Sequence, residues 1–361
     1  MRRGTSGVIS RVVPWRRKNG VKVLVTGGAG FIGSNFVRYL LKSRRQLELF
    51  NFDKLTYAGI LESLAEVAQD PRYHFVRGDI TDRQAVEQIF ERGFNAIVHF
   101  AAETHVDRSI EDASPFLKTN ILGTHSLLEA ARRLPAMRFI HISTDEVYGS
   151  APAGVNFTEE ATLNPRSPYA ASKASAEHLV TAYTNTYGVS AVILRCTNNY
   201  GPFQFPEKLI PLMIANASED KPLLIYGDGQ QERDWLFVED FCRAIALALD
   251  KAKPGSVYNV SSGVPQPNLK IVRAILQHLG KPESLIQHVK DRPGHDRRYA
   301  LDSSKIQREL GWAPMVSFEE GVHRTIKWYQ GNAAWLDHTR SGEYREYYDR
   351  HYTRRSESFR T

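Results

Sequence analysis

The chain has 361 residues, 42% apolar and 24% charged, ordinary values for a globular protein large enough for an α/β unit with an attached lobe. No apolar run approaches the ~18 residues of a membrane-crossing helix, Cys196 and Cys242 are too few for a disulfide framework, and the 12 histidines show no metal-ligand spacing, so no metal site is expected. The net charge of +7 lies in the two tails and leaves a nearly neutral body, which argues against a nucleic-acid partner.

Residues 1–20 carry Arg2, Arg3, Arg11, Arg16, Arg17 and Lys18 without an acid. They read as a disordered basic extension with no apolar segment of a secretory signal. From Val21 apolar runs alternate with helical patterns. The runs are VKVLVTG, LELFNFD, YHFVRGD, NAIVHFAA, RFIHIST and VSAVILRC, separated by patterns such as FVRYLLKS and NILGTHSLLEAARR. Continuous apolar strands between helices imply a parallel sheet covered on both faces. The expected fold is α/β, a Rossmann-type doubly wound parallel sheet over residues 21–197. After Tyr200 the rhythm breaks into GPFQFPEKLIP, a short strand LLIYG and loops rich in Pro, Gly and Arg. Residues 198–348 read as mainly a smaller C-terminal substrate-binding lobe with some segments returning to the sheet, and 349–361 as a basic tail.

The first strand ends in VTGGAGFIGS, which spaces Gly27, Gly30 and Gly33 three apart, with Phe31 and Ile32 inside the turn. Glycine lets backbone turn tightly and approach a pyrophosphate, which then rests on a helix N-terminus. A preceding strand and a following helix supply the context that a lone glycine turn lacks. Asp53 closes the second strand, where a carboxylate accepts hydrogen bonds from an adenosine ribose and repels a 2′-phosphate. NAD is therefore expected rather than NADP, with Lys54 beside the acid softening that preference. Asp79, followed by Ile80, closes the third strand and reads either as an adenine contact or as a helix N-cap.

HISTDEVYG ends a strand in Ser143 and Thr144 and follows it with Asp145 and Glu146. Tyr169 and Lys173 are four apart in SPYAASKASAEHLV, so a helix places them on one face, with Pro168 in its first turn. A tyrosine acting as a base near neutrality needs its pKa lowered by roughly 3 units, about 4 kcal/mol. A lysine cation about 4 Å away supplies about 4 kcal/mol at an effective dielectric of ~20. That pair suits hydride transfer, which needs one base. Two adjacent carboxylates suit a further step.

Together these motifs resemble an extended short-chain dehydrogenase/reductase. VTGGAGFIGS, DKLTYAG, AAETHVDRSI, HISTDEVYG, SPYAASKAS, NNYGP, FPEKLIP and DRPGHDRRYA are similar to the dTDP-glucose 4,6-dehydratases, over about residues 21–348. Thr144-Asp145-Glu146 is the most specific element, because 4-epimerases of the same fold usually carry small residues in place of the two acids. The resemblance implies NAD as cofactor, a dTDP-glucose substrate, a homodimer and a cytoplasmic enzyme. It assigns Tyr169 the C4 oxidation, Glu146 the C5 proton, Asp145 the protonation of the departing 6-hydroxyl, and Thr144 a bond to the 4-hydroxyl. Lys54, Ile80, Ala101, Thr119 and Asn199 fall on the cofactor side. Thr104 stands where the family commonly has Ser, and Asn198 matches a substrate position. Lys208, Leu209, Tyr226, Arg233, Asn268, Arg292 and His295 resemble nucleotide-diphosphate contacts. A 4-epimerase and a UDP-glucose dehydratase are the alternative activities. A dinucleotide-binding regulator without chemistry is the alternative class. For the dimer, ASPFLKTNILGTHSLLEAARR and the Tyr169 helix are the candidate contact faces.

Overall fold

The computed structural model describes residues 20–291 and 294–340. The basic head, Arg292 and the tail from 349 lie outside the described residues. In chain order the strands are β1 (Val21–Thr26), β2 (Leu47–Asp53), β3 (Tyr73–Arg77), β4 (Ala96–His99), β5 (Arg138–Thr144) and β6 (Ser190–Cys196). There follow β7 (Asn198–Tyr200), β8 (Leu223–Tyr226), β9 (Glu232–Phe237), β10 (Val257–Val260), β11 (Pro265–Pro267) and β12 (Ile286–Val289).

Seven strands form one parallel sheet in the order β10-β6-β5-β4-β1-β2-β3. The order reverses between β1 and β4, so a crevice opens there at the carboxyl ends of the strands. This is the doubly wound fold expected from the apolar runs. Its seventh strand, β10, comes from well beyond Tyr200.

Successive strand residues face opposite sides of a sheet. Val23 and Val25 accordingly pack with Leu40, Phe241 and Leu249 on one face. Leu24 packs with Ile97, Leu127, Phe139 and Val180 on the other. Full burial of such a side chain stabilises by ~1.5–3 kcal/mol, so the two layers fix which strand ends meet at the crevice.

β7, β9 and β11 form a small sheet, and β8 pairs in parallel with β12. These enclose a separate apolar cluster that includes Tyr200, Ile214, Ile271 and Ile326. This second layer of structure stands over the carboxyl end of the main sheet and closes the crevice into a cleft of about 450 Å³. Among the described residues, no helix is long and apolar enough to cross a membrane.

Candidate active site

The glycine turn forms one end of the cleft. Gly27 has φ +71°, and a Cβ there would strike the Ala101 backbone where β1 and β4 diverge. At Gly33 a Cβ would run into the Gly27 carbonyl, so the helix Phe31–Ser43 can start directly against the turn. Gly30 precedes that helix and provides no side-chain cap. Its first-turn N–H groups and the bare backbone beside them fit a pyrophosphate.

Asp53 is buried and ties the turn down, accepting the Ala29 N–H at Oδ2 and the Leu55 N–H at Oδ1, both at 2.8 Å. Burial pushes its carboxyl up while these two N–H groups pull against the shift. Asp79 accepts the Thr81 N–H at 2.9 Å and pairs with Lys54 Nζ at 2.9 Å. The helix Arg83–Phe90 is instead capped by Asp82, which takes the N–H groups of Gln84 and Ala85. The N-cap reading of Asp79 therefore fails by three residues. Ile80, Ala101 and Thr119 line the same end of the cleft, as do Phe31 and Ile32. Asn199 is fixed by its Nδ2 bond to the Thr197 carbonyl at 3.0 Å, and its Oδ1 is buried without a protein partner.

At the centre of the cleft β5 runs out at Thr144, and residues Asp145–Tyr148 make one tight 3-10 turn. Thr144 caps that turn by accepting the Glu146 N–H at 3.3 Å, and its hydroxyl also donates to Asp145 Oδ1 at 3.2 Å. Asp145 is 2% exposed and Glu146 is half-buried. Burial first, then the neighbouring Glu146, pushes Asp145 up to about 7, against the pull of Arg233.

Helix Pro168–Tyr187 brings the other pair to the same place. Ser167 caps it through the Ala170 N–H at 3.1 Å, Pro168 opens it, and Gly188 at φ +71° ends it. Tyr169 and Lys173 are both buried on its inner face. Burial, Glu146 and Cys196 push the Tyr169 phenol well above its usual range. Lys173 is itself pushed down to about 8 by burial, with Glu177 and Cys196 opposing, and its Nζ donates to the Ile142 carbonyl at 2.7 Å. The lowering of the phenol expected of Lys173 is to be shared with an oxidised nicotinamide, whose charge adds to that of the amine. The helical spacing places both groups on one face but does not say that a strand-end carbonyl holds the amine.

The far end of the cleft belongs to the second layer. Lys208 Nζ bridges to the Thr104 carbonyl at 3.0 Å, and Leu209 follows it into the cleft wall. Tyr226 donates to Asp107 Oδ2 at 3.0 Å, and His295 Nδ1 meets Asp291 Oδ1 at 2.6 Å. Arg233 is buried with its guanidinium 4.1 Å from the centre of the Tyr299 ring and bonded to the Asp296 carbonyl at 2.9 Å. Asn198 and Asn268 also line the cleft, each with a buried Oδ1 that has no partner among the described residues. Every described candidate residue therefore lines one cleft.

Sequence reasoning passed over Thr197, Glu103, Asp107, Glu207 and Tyr299, which line it as well. Glu207 is buried against the Tyr57 hydroxyl at 3.2 Å, with His105 Nε2 3.8 Å away, and burial pushes its carboxyl up. Its only sequence signal was an acid beside Lys208 in FPEKLIP.

Residues 24–325 match the family model described as GDP-mannose 4,6 dehydratase. The dTDP-glucose 4,6-dehydratase of Neisseria meningitidis serogroup B is 50% identical over 346 residues, covering 90% of this chain and 97% of that one. A crystal structure of DesIV, a dTDP-glucose 4,6-dehydratase from Streptomyces venezuelae with NAD and TYD bound, superposes with a TM-score of 0.86. It is 48% identical, over 88% of this chain and 99% of that one. A UDP-glucose 4-epimerase from Thermus thermophilus in complex with NAD is less similar, at 35% identity and a TM-score of 0.79, over 86% of this chain and 99% of that one. The higher identity sets the chain with the dehydratases rather than with the epimerase. It belongs to the GDP-mannose 4,6 dehydratase family of nucleotide-sugar enzymes and, within it, to the dTDP-glucose 4,6-dehydratases.

Proposed function

We propose that the protein is an NAD-dependent lyase that converts dTDP-glucose to dTDP-4-keto-6-deoxyglucose. The observation that carries this reading is the buried Asp145 beside Glu146, in the same cleft as Tyr169, Lys173 and a glycine turn shaped for a pyrophosphate. The glycine turn, Asp53, Thr119 and Asn199 would hold NAD, with Tyr169 and Lys173 at its reactive end. The nicotinamide, when bound, supplies a hydride acceptor for C4, a hydride donor for C6 and a positive charge that favours ionisation of the phenol.

The chain's own residues supply the proton steps. Tyr169 takes the proton of the 4-hydroxyl while Thr144 holds that oxygen. The resulting ketone acidifies the neighbouring C5 hydrogen. Glu146 removes the C5 proton as Asp145 gives its own to the departing 6-hydroxyl, and water leaves. Glu146 then returns a proton to C5. The proton gained by Tyr169 equals the one lost by Asp145, so the cycle closes. Two nearby carboxylates titrate as a pair, and the more buried one keeps the shared proton. That division suits Asp145 as acid and Glu146 as base.

Arg233 and Lys208 would hold the diphosphate, which a forked guanidinium binds through two oxygens. Leu117, Leu122 and Tyr187 are large apolar side chains left exposed on the two helical segments that precede and carry the catalytic helix. They suit a homodimer contact. The two buried free cysteines suit a reducing cytoplasm.

The test is NMR of the reaction with dTDP-glucose in D2O without added cofactor. A 6-methyl product with a 4-keto carbon and deuterium at C5 supports the reading. A galactose-configured product keeping its 6-hydroxyl overturns it, and parallel assays with UDP- and GDP-sugars distinguish a wrong nucleotide from a wrong reaction.

A further inference from the structure

An acid that must deliver a proton has to hold it on a defined oxygen until the leaving group arrives. Thr144 donates to Asp145 Oδ1, which marks that oxygen as an acceptor. The other oxygen, Oδ2, lies 3.0 Å from the hydroxyl of Thr197. The same hydroxyl lies 2.8 Å from the backbone carbonyl oxygen of Asp234. One hydroxyl has one hydrogen. A carbonyl can only accept, and two oxygens 2.8 Å apart with no hydrogen between them repel. With the hydrogen of Thr197 in the shorter of the two contacts, the one to Asp234, Thr197 turns a lone pair toward Asp145. A bond at 3.0 Å then requires that Oδ2 carry the proton.

The surroundings hold this arrangement in place. Thr197 is 3% exposed, in the single-residue link between β6 and β7, and its N–H donates to the Val260 carbonyl at 3.1 Å. Asp234 sits in β9, and its carboxylate is occupied elsewhere, by the N–H groups of Ser262 and Gly263 at 3.1 and 2.8 Å. It does not compete for the threonine hydroxyl.

We propose that Thr197 is a positioning residue of the dehydration: committed as a donor to the Asp234 carbonyl, it accepts the acid proton of Asp145 Oδ2 and keeps that carboxyl neutral and oriented. The inference rests on the dehydratase reading. In the reaction, the bond to Thr197 breaks as the proton passes from Oδ2 to the departing 6-oxygen, which leaves as water. The other titratable groups facing Asp145 are Glu146 on its own turn, Arg233 from β9, Tyr169 and Lys173 from helix Pro168–Tyr187, and Cys196 beside Thr197. Of these, Glu146 works in the same direction as the proposed bond and Arg233 works against it.

The sign of a pH shift tests the proposal. Thr197→Val and Thr197→Ser are prepared as NAD-loaded enzymes, and the pH profile of kcat for keto-deoxy sugar formation is compared with that of C4 oxidation, read from reduced-nicotinamide absorbance. An accepting hydroxyl stabilises the neutral acid. Its loss in Thr197→Val should move the alkaline limb of dehydration down by roughly 0.5–1 pH unit, the size of one hydrogen bond. The oxidation profile should stay in place, and Thr197→Ser should bring the limb back toward the parent position. An upward shift would mean that Thr197 donates to an ionised Asp145, and an unmoved limb would mean that it does neither; both overturn the proposal while leaving the dehydratase reading intact. A parent enzyme that forms no keto-deoxy sugar overturns that reading instead. Should the valine variant not fold, Thr197→Ala makes the same comparison without added bulk.

Discussion

Arg195 lies bidentate across Glu177, with Nη2 and Nε at 2.6 and 2.9 Å from Oε2, and both side chains are buried. The pair joins the catalytic helix, one turn beyond Lys173, to the acid-bearing turn, because Arg195 also reaches the Tyr148 hydroxyl, which donates to Asn259 Oδ1 at 2.9 Å. Burial pushes the guanidinium down, and Glu177 with Tyr148 more than reverses this. Removing one partner strands the other as a buried charge. Glu177→Ala should cost ~3–5 kcal/mol, read as a lower urea midpoint with an unchanged slope.

Asp145 carries a stability consequence as well as a catalytic one. Burial holds its folded pKa at about 7, above the ordinary carboxylate range, so the unfolded chain ionises first. The stability present at low pH is lost progressively as pH rises from about 4 through about 7. Asp145→Asn removes that loss. Its melting temperature should match the parent near pH 4 and exceed it at pH 8 by the equivalent of at least ~1 kcal/mol, while dehydration is abolished. A parent that is equally stable at both pH values relative to the variant would contradict the neutral acid.

At the cofactor end, Gly33→Ala places a methyl against the Gly27 carbonyl, and neither backbone can yield without moving the helix start. The variant should lose co-purifying NAD, measured by the absorbance ratio and by calorimetric titration. Asp53→Asn is milder, because an amide can still accept the Ala29 N–H. Loss of one charged acceptor is worth ~1.5–3 kcal/mol, a roughly 10- to 100-fold weaker NAD affinity.

Leu122 is 60% exposed and Leu117 47% exposed on the helical stretch preceding the catalytic helix. If this face is the homodimer contact, Leu122→Arg buries an unpaired charge there. Sedimentation should then show monomers where the parent shows dimers. An unchanged dimer would place the contact elsewhere.

The sheet was readable because most of its strands are buried, near-continuous apolar runs, and the reading of LELFNFD and RFIHIST coincides with β2 and β5 to the residue. β10 was not, since VYNV is short and is recruited into the sheet by pairing with β6 rather than by its own composition. Glycine spacing, the i,i+4 Tyr/Lys pair and the adjacent acids are local patterns, which is why they stood out. Thr197 and Glu207 meet partners far away in the chain, Asp145 and Tyr57, and their own neighbourhoods do not announce those contacts. The same limit applies to Lys173, whose contact with the Ile142 carbonyl depends on how the helix seats against β5.

In the proposed mechanism the two acids after β5 make this a dehydratase rather than a simple oxidoreductase. The most direct measurement is a single turnover of Glu146→Gln with dTDP-glucose, following reduced nicotinamide by absorbance and the 6-deoxy product by rapid quench. C4 oxidation retained, with product formation slowed by at least ~100-fold, is the predicted result, the size expected for loss of a general base. Product formed at the parent rate would contradict the account.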